Sequence, residues 1–522
     1  MGKLQYTEIG SVKSIRGCII VVTGLKNSVN GQLVYIGANA SVGTVVGFNE
    51  EETHVLILKE NELIKTGDEV RASMEPFNVP VGDAFIGRIV NALCEPQDNM
   101  GEIQPAMHNS IFPAAPAILD RQPLKMTLET GLKVLDTMIP IGLGQRQLIL
   151  GNKSTGKTTF ITDVILNQKN TDVICIYCAI GKARSQLARV VQLFNDNNAW
   201  DYSMIVAAPS SAPPGQMYLA PYVACSIGEY WRDRGKHVFI GFDDYTKHAW
   251  CYREISLLLG RAPGRDSYPG DIFFLHSKMI ERACYLSDEK GGGSMTFLPI
   301  VEILEGDLTS YVPTNLVSMT DGQIYLDSAL FGEGQRPALD LGLSVSRVGS
   351  KVQWPIIKKF SGPLRLEFLQ YRELKRLSKL RSTGQSEEQI EKLRSGEILT
   401  KLLVQDKDSP IALEALAIIL YAFNKKYLHR LTLNEVDRFQ HEVHAFALDK
   451  NPDFLKRLRE KRDLDEQMEQ EINAIIKDFV HIIEEQRPEE EAEKEEDIIT
   501  NIGKDVLEEV TTKPEEKKPA KE

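Results

Sequence analysis

The sequence predicts a multidomain chain with an N-terminal β-barrel, a central α/β domain that carries a phosphate-binding loop, and a C-terminal α-helical domain. Three observations predict it. The 522 residues exceed what one hydrophobic core organises. The period of the apolar residues changes twice along the chain. In the middle stretch, Gly151-Asn152-Lys153-Ser154-Thr155-Gly156-Lys157-Thr158 fits G-x-x-x-x-G-K-[ST].

Residues 1–76 hold the short β-branched runs CIIVVTG, GQLVYIG, VGTVVGF and THVLILK, separated by Gly, Asn and Glu turns. That spacing predicts a small barrel or sandwich. Over 77–360 the apolar runs RQLIL, DVICIYCAI, MIVAA and HVFIGF alternate with helical patterns, the rhythm of a mostly parallel α/β sheet. From Pro363 the period changes: Leu364, Phe368, Tyr371 and Leu374 recur at three- and four-residue steps, so 361–486 is expected to be helical. Residues 487–522 contain thirteen acidic and seven basic side chains and no aromatics. Such a segment cannot bury a core and is expected to be disordered, solvated or serving as a docking tail.

Composition excludes several classes. A net charge of −12 argues against a nucleic-acid surface, which needs a basic stripe. No eighteen-residue apolar run is present, and the start MGKLQYTEIG lacks a signal-peptide pattern. A cytoplasmic chain is the expectation. Seven scattered cysteines suit reduced thiols, and Cys175 and Cys178 lie inside one apolar strand pattern without a second pair. His441 and His444 lack a third ligand, and Gly291-Gly292-Gly293 lacks the lysine and strand of a phosphate loop.

The loop at 151–158 stands in the right context, with RQLIL before it and the helical pattern TFITDVIL after it. Its glycines let successive N–H groups and the helix N-terminus face an anion. Lys157 is expected at the terminal phosphates of ATP or ADP, and Thr158 at Mg²⁺. A second strand, HVFIGF, ends in Asp243-Asp244. An apolar strand that delivers an acid at its C-terminal edge suits the metal side, and Asp243 is the expected ligand, with Asp244 as a helix N-cap. This P-loop core is of the RecA-like type.

At these residues the sequence resembles the alpha subunit of F-type ATP synthases, from about Gly10 to Gln486. PIGLGQRQLILGNKSTGKTT, GEYWRDRGKHVFIGFDDYTKHA, RAPGRDSYPGDIFFLHSKMIERA and ALDLGLSVSRVGS carry the resemblance. It implies a hexamer that alternates with a catalytic beta-type subunit around a gamma-like shaft, peripheral to the inner face of a membrane. Within SVSRVG it implies that Arg347 is an arginine finger for the neighbouring catalytic site, with Ser344 contributing to activity. A guanidinium is always charged and can offset charge on phosphoryl oxygens. Phe331, Arg336 and Pro337 would border the base, and Gln405 would contact it.

The departures matter as much. Catalytic relatives place a glutamate just past the strand after the P-loop helix, and alpha subunits usually have glutamine there. This chain has Lys182. A protonated lysine has donors and no acceptor, so it cannot take a proton from water, though it could pair with a phosphate or a neighbouring carboxylate. The chain is therefore expected to bind nucleotide without hydrolysing it. NKS replaces the usual DRQ in the loop, Lys407 stands where a second base-contacting glutamine is usual, and the N-terminal dock for a peripheral stalk is expected to be missing. Together these suggest a divergent paralogue such as the F-type-like ATPases of wall-less bacteria, some of them tied to gliding or other surface machinery. The competing readings are a conventional ATP synthase alpha subunit, a hexameric P-loop helicase and a secretion ATPase.

Overall fold

The computed structural model describes residues 8–38, 40–378 and 387–487. The tail beyond Arg487 and part of the charge-rich stretch at 380–394 lie outside the described residues. The chain divides into two compact units, Met1–Gly384 with Leu403–Leu416, and Gln385–Leu402 with Ala417–Glu522.

The first unit opens with a closed barrel of β1 (Ile9–Arg16), β2 (Ile19–Thr23), β3 (Gln32–Ile36), β4 (Ser41–Phe48), β5 (Glu52–Lys59) and β6 (Glu69–Pro76). The strand order is β1-β2-β5-β4-β3-β6. The four apolar runs become β2 to β5, while β1 and β6 are alternating polar strands that the runs do not reveal. Val12, Ile20, Val22, Val34, Ile36, Val45, Val55 and Val70 fill the interior, the inward half of each period-two pattern.

After β7 (Asn78–Val81), β8 (Ile89–Val90) and β9 (Met107–Ser110), the chain enters the α/β core. Its helices begin with α1 (Lys133–Met138), and its central strands are β10 (Leu148–Gly151), β11 (Val173–Ile180), β12 (Ser203–Ala208) and β13 (His237–Asp243). The short β14 (Cys284–Tyr285) is followed by β15 (Ser294–Glu302), β16 (Gly322–Leu326) and β17 (Val345–Ser346). The sheet runs β17-β16-β10-β15-β13-β11-β12-β8, with β14 beside β15. Neighbours from β16 to β8 pair in parallel, and β17 is an antiparallel edge. Strands β10 to β13 are nearly continuous apolar runs because helices cover both faces of a parallel sheet.

Those helices are α2 (Lys157–Asn167), α3 (Arg184–Asn197), α4 (Pro214–Arg232), α5 (Tyr245–Leu258), α6 (Ile272–Ile280), α7 (Tyr311–Met319) and α8 (Ser328–Gly332). Then α9 (Pro355–Ser378) packs on α1. Helix α9 begins two turns before Pro363, where the periodic pattern is first read. Ile356, Ile357, Phe360 and Leu364 are all buried, and that apolar face holds the helix together through the N–H that Pro363 lacks.

The second unit is helical, with α10 (Glu387–Leu403), the later part of α11 (Leu413–Asn424), α12 (Leu433–Lys450), α13 (Pro452–Lys461) and α14 (Glu466–Glu485). Helix α12 starts in a capping box of Thr432 and Glu435 and packs on α14. Along α14 the buried Met468, Ile472, Ile475, Ile476, Phe479 and Ile483 form one stripe. A barrel, a P-loop α/β domain and a helical region thus follow one another as the sequence predicts. Among the described residues no helix is long and apolar enough to cross a membrane, and no cluster of three metal-binding side chains occurs. Cys175 and Cys178 are fully buried in β11, and the side chain of His441 is 58% exposed.

Candidate functional site

The carboxyl ends of four neighbouring strands assemble the site, where a parallel sheet presents its loops to a ligand. Along the sheet, β10 delivers Gly151, β15 delivers Glu302, β13 delivers Asp243, and β11 leads into Gly181-Lys182. Gly151 and Glu302 are partners in register, as are Ala179 and Asp243. A cavity of about 1180 Å³ opens above these strand ends, large enough for a nucleotide.

The P-loop turns from β10 into α2 through left-handed backbone at Ser154 (φ 65) and Gly156 (φ 92), the second immediately before the helix. Gly156 adopts that conformation without the Cβ penalty. The first-turn N–H groups of α2 therefore face the cavity with the positive end of the helix dipole. The Asn152 side chain braces the loop: Nδ2 donates to Ser328 Oγ (2.9 Å) and Oδ1 accepts from the Gly306 N–H (3.0 Å). Thr155 Oγ1 donates to Asn152 O (2.9 Å). Lys153 and Ser154 are exposed at the tip and line the cavity. Lys157 is buried and donates to Gly151 O (2.9 Å) and Asn152 O. Burial pulls its ammonium pKa down, and Glu302, Asp244 and Asp243 oppose that pull.

Thr158 and Asp243, the two residues expected at a metal, lie together: the hydroxyl donates to Asp243 Oδ2 at 2.6 Å. Two further groups converge there. Tyr177, in the middle of β11, donates its phenol hydrogen to the same Oδ2 (2.9 Å), and burial pushes that phenol pKa well up. Lys182 Nζ lies 2.7 Å from Asp243 Oδ1 and donates to Thr158 Oγ1 at 3.2 Å. Asp243 has no solvent exposure. A hydroxyl and a carboxylate are the oxygen donors Mg²⁺ takes, but the ammonium stands against both of them. Asp243 Oδ1 takes no hydrogen bond and faces the ammonium at 2.7 Å, so a divalent ion between Thr158 and Asp243 would have to displace Lys182.

Asp244 caps α5, accepting from the Lys247 N–H (2.8 Å). Burial, with the neighbouring Asp243 charge second, pushes its pKa up to about 6. Glu302 lines the cavity and is absent from the sequence reading. Its strand, SMTFLPIVE, ends in an acid just as β13 does, and that signal could have found it.

On the far side of the cavity stand Phe331, Arg336 and Pro337, with the Arg336 guanidinium 5.2 Å from the Phe331 ring centroid. Gln405 also lines it, but both ends of its amide are engaged. Oε1 accepts from the Lys133 N–H (2.9 Å), and Nε2 donates to Gly131 O and Ser409 O (2.7 Å each). The Gln405 N–H donates to Arg336 O (2.8 Å), so Gln405 anchors the wall that carries Arg336.

Arg347 and Ser344 are not part of this cavity's lining. Ser344 is buried, its hydroxyl accepting from the Tyr325 N–H (2.9 Å) and its carbonyl from Arg365 (2.8 Å). It pins the segment before β17 to β16. Arg347 follows β17 directly; its N–H donates to Asp321 O (2.8 Å) and its side chain is exposed at the sheet edge. No described hydrogen bond or ion pair engages its guanidinium.

The nucleotide-binding domain of the ATP synthase alpha/beta family matches residues 131–346. The C-terminal domain of the ATP synthase alpha/beta chain matches 353–479. The ATP synthase subunit alpha of Aquifex aeolicus (strain VF5) is 41% identical over 475 residues, covering 91% of this chain and 94% of that one.

Proposed function

The chain belongs to the ATP synthase alpha/beta family, and from that membership we propose that it is an alpha-type subunit whose own site binds ATP or ADP without hydrolysing it. One observation carries the reading. At the position from which a general base would reach the attacking water, Lys182 presents an ammonium already paired with Asp243 at 2.7 Å. Such a group has donors only and cannot accept the proton. The pocket is then a structural or regulatory site, with Gly151 to Thr158 facing the phosphates and Phe331, Arg336 and Pro337 facing the base.

The chemical contribution moves to Arg347. Its exposure outside the home cavity supports a role at a neighbouring beta-type subunit, in a hexamer that alternates around a gamma-like shaft at the inner face of a membrane. There the guanidinium would stabilise charge developing on the transferred phosphoryl oxygens, while Ser344 holds the approach to the finger in place. The limits 76, 360 and 486 are proposed as those of barrel, nucleotide-binding and helical domains. Use of the motor for hydrolysis-driven work such as gliding or other surface machinery is proposed from Lys182, the NKS loop and Lys407, which set the chain apart from a conventional synthase subunit.

In a complex reconstituted with a beta-type partner, Arg347→Ala is expected to lower kcat by about 10³-fold or more. Assembly and nucleotide occupancy of this chain should be unchanged. An unaltered rate would reject the finger.

A further inference from the structure

The environment of Lys182 reaches beyond the absence of a base. Asp243 and Thr158 are the two groups from which a divalent cation would be held, and the Lys182 ammonium reaches both, at 2.7 Å and 3.2 Å. Asp243 is closed to solvent, and its Oδ2 already accepts from Thr158 and Tyr177. Oδ1 lies 2.7 Å from the ammonium as an ion pair and takes no hydrogen bond among the described residues. A metal could ligate Asp243 only after Lys182 had left.

Lys182 also lines the cavity itself. An ammonium has three N–H groups. Thr158 takes a hydrogen bond from one of them while Asp243 holds the group by charge, so N–H groups remain for a phosphate oxygen entering from the P-loop side. The walls supply further positive charge. With Lys182 set against Asp243, Lys153, Lys157, Lys247, Arg336 and Lys407 face four acids, Asp163, Asp244, Glu302 and Asp406. That surplus suits the charge of a polyphosphate that brings no metal.

We propose that Lys182 acts as a built-in cation in place of Mg²⁺, so that this site binds a nucleoside di- or triphosphate in its metal-free form. The proposal rests on the nucleotide-binding reading above and specifies the ionic form of the ligand.

The test is equilibrium binding of ATP to the purified full chain, in EDTA and in excess Mg²⁺, with Lys182→Gln in parallel. The wild type is expected to bind ATP in EDTA within about threefold of its affinity in Mg²⁺, or more tightly, because Mg²⁺ and Lys182 compete for Asp243. Lys182→Gln should lose about tenfold or more in EDTA and recover in Mg²⁺. A wild-type affinity that falls about tenfold in EDTA would overturn the proposal, and that comparison needs no variant to fold. Absence of ATP binding in both media would instead overturn the nucleotide-binding reading, and with it this inference.

Discussion

Burial pushes the carboxyl of Asp163, which lines the cavity from α2, up to about 7 from 3.8, although its Oδ1 accepts from the Asp408 N–H at 3.1 Å. The folded state holds that proton more tightly than the unfolded chain does. The resulting stability is full below about pH 4 and is lost as the pH rises through about 7. Asp163→Asn retains an acceptor for Asp408 and removes the titration. The variant should therefore gain on the wild type by roughly 2–4 kcal/mol between pH 5 and pH 8. Denaturant unfolding at both pH values measures it, and parallel stability profiles would contradict it. At this scale the sequence was most informative where a motif restricts backbone and chemistry together. Gly151 to Thr158, Asp243 and the N-cap role of Asp244 were legible for that reason. Tyr177 was not, because a tyrosine inside an apolar strand looks like an ordinary strand residue until the neighbouring strands are known, whereas Glu302 carried the same strand-end signal as Asp243 and was passed over. Two of the partners of Gln405, Lys133 and Gly131, lie 272 and 274 residues away, which no local pattern reveals.

The elements that matter are α2 and β13, since their separation sets the distance between Thr158 and Asp243. Gly241 makes that separation possible. A Cβ at this position would lie 2.4 Å from Ile161 Cγ2 on α2, inside van der Waals contact. Gly241→Ala is expected to destabilise the protein by about 1–3 kcal/mol. It should also weaken nucleotide binding, because the helix must shift away from the strand that carries Asp243. Thermal unfolding and ATP titration measure the two effects; unchanged affinity beside lowered stability would separate the helix position from the site. Strands β2 to β5 and β10 to β13 were legible because β-branched runs bounded by turn residues have one physical reading. Strands β1 and β6 were hidden by their polar alternation, since each buries only one face in the barrel. The start of α9 was hidden by Pro363, a residue that more often opens a helix than lies within one.

For the molecule as a whole, the two functions attributed to the chain lie at different places on one sheet. The cavity stands over β10, β15, β13 and β11, whereas Arg347 follows the edge strand β17. An edge position suits a residue that acts outside its own domain, and a central position suits a ligand that ties the strand ends together. The order of barrel, P-loop domain and helical region was legible from the changes of hydrophobic period. Membership of the ATP synthase alpha/beta family was legible from four stretches of the core, and the family matches over 131–346 and 353–479 agree. That Lys182 could pair with a carboxylate was legible; that the carboxylate is Asp243 was not, because the end of β13 and the residues after β11 meet only in the sheet. Whether the site holds nucleotide and leaves it intact is measured by single-turnover incubation of the purified chain with γ-labelled ATP. Bound ATP should remain unhydrolysed over the lifetime of the complex. Release of labelled phosphate from the bound pool, abolished by Lys157→Ala, would contradict it.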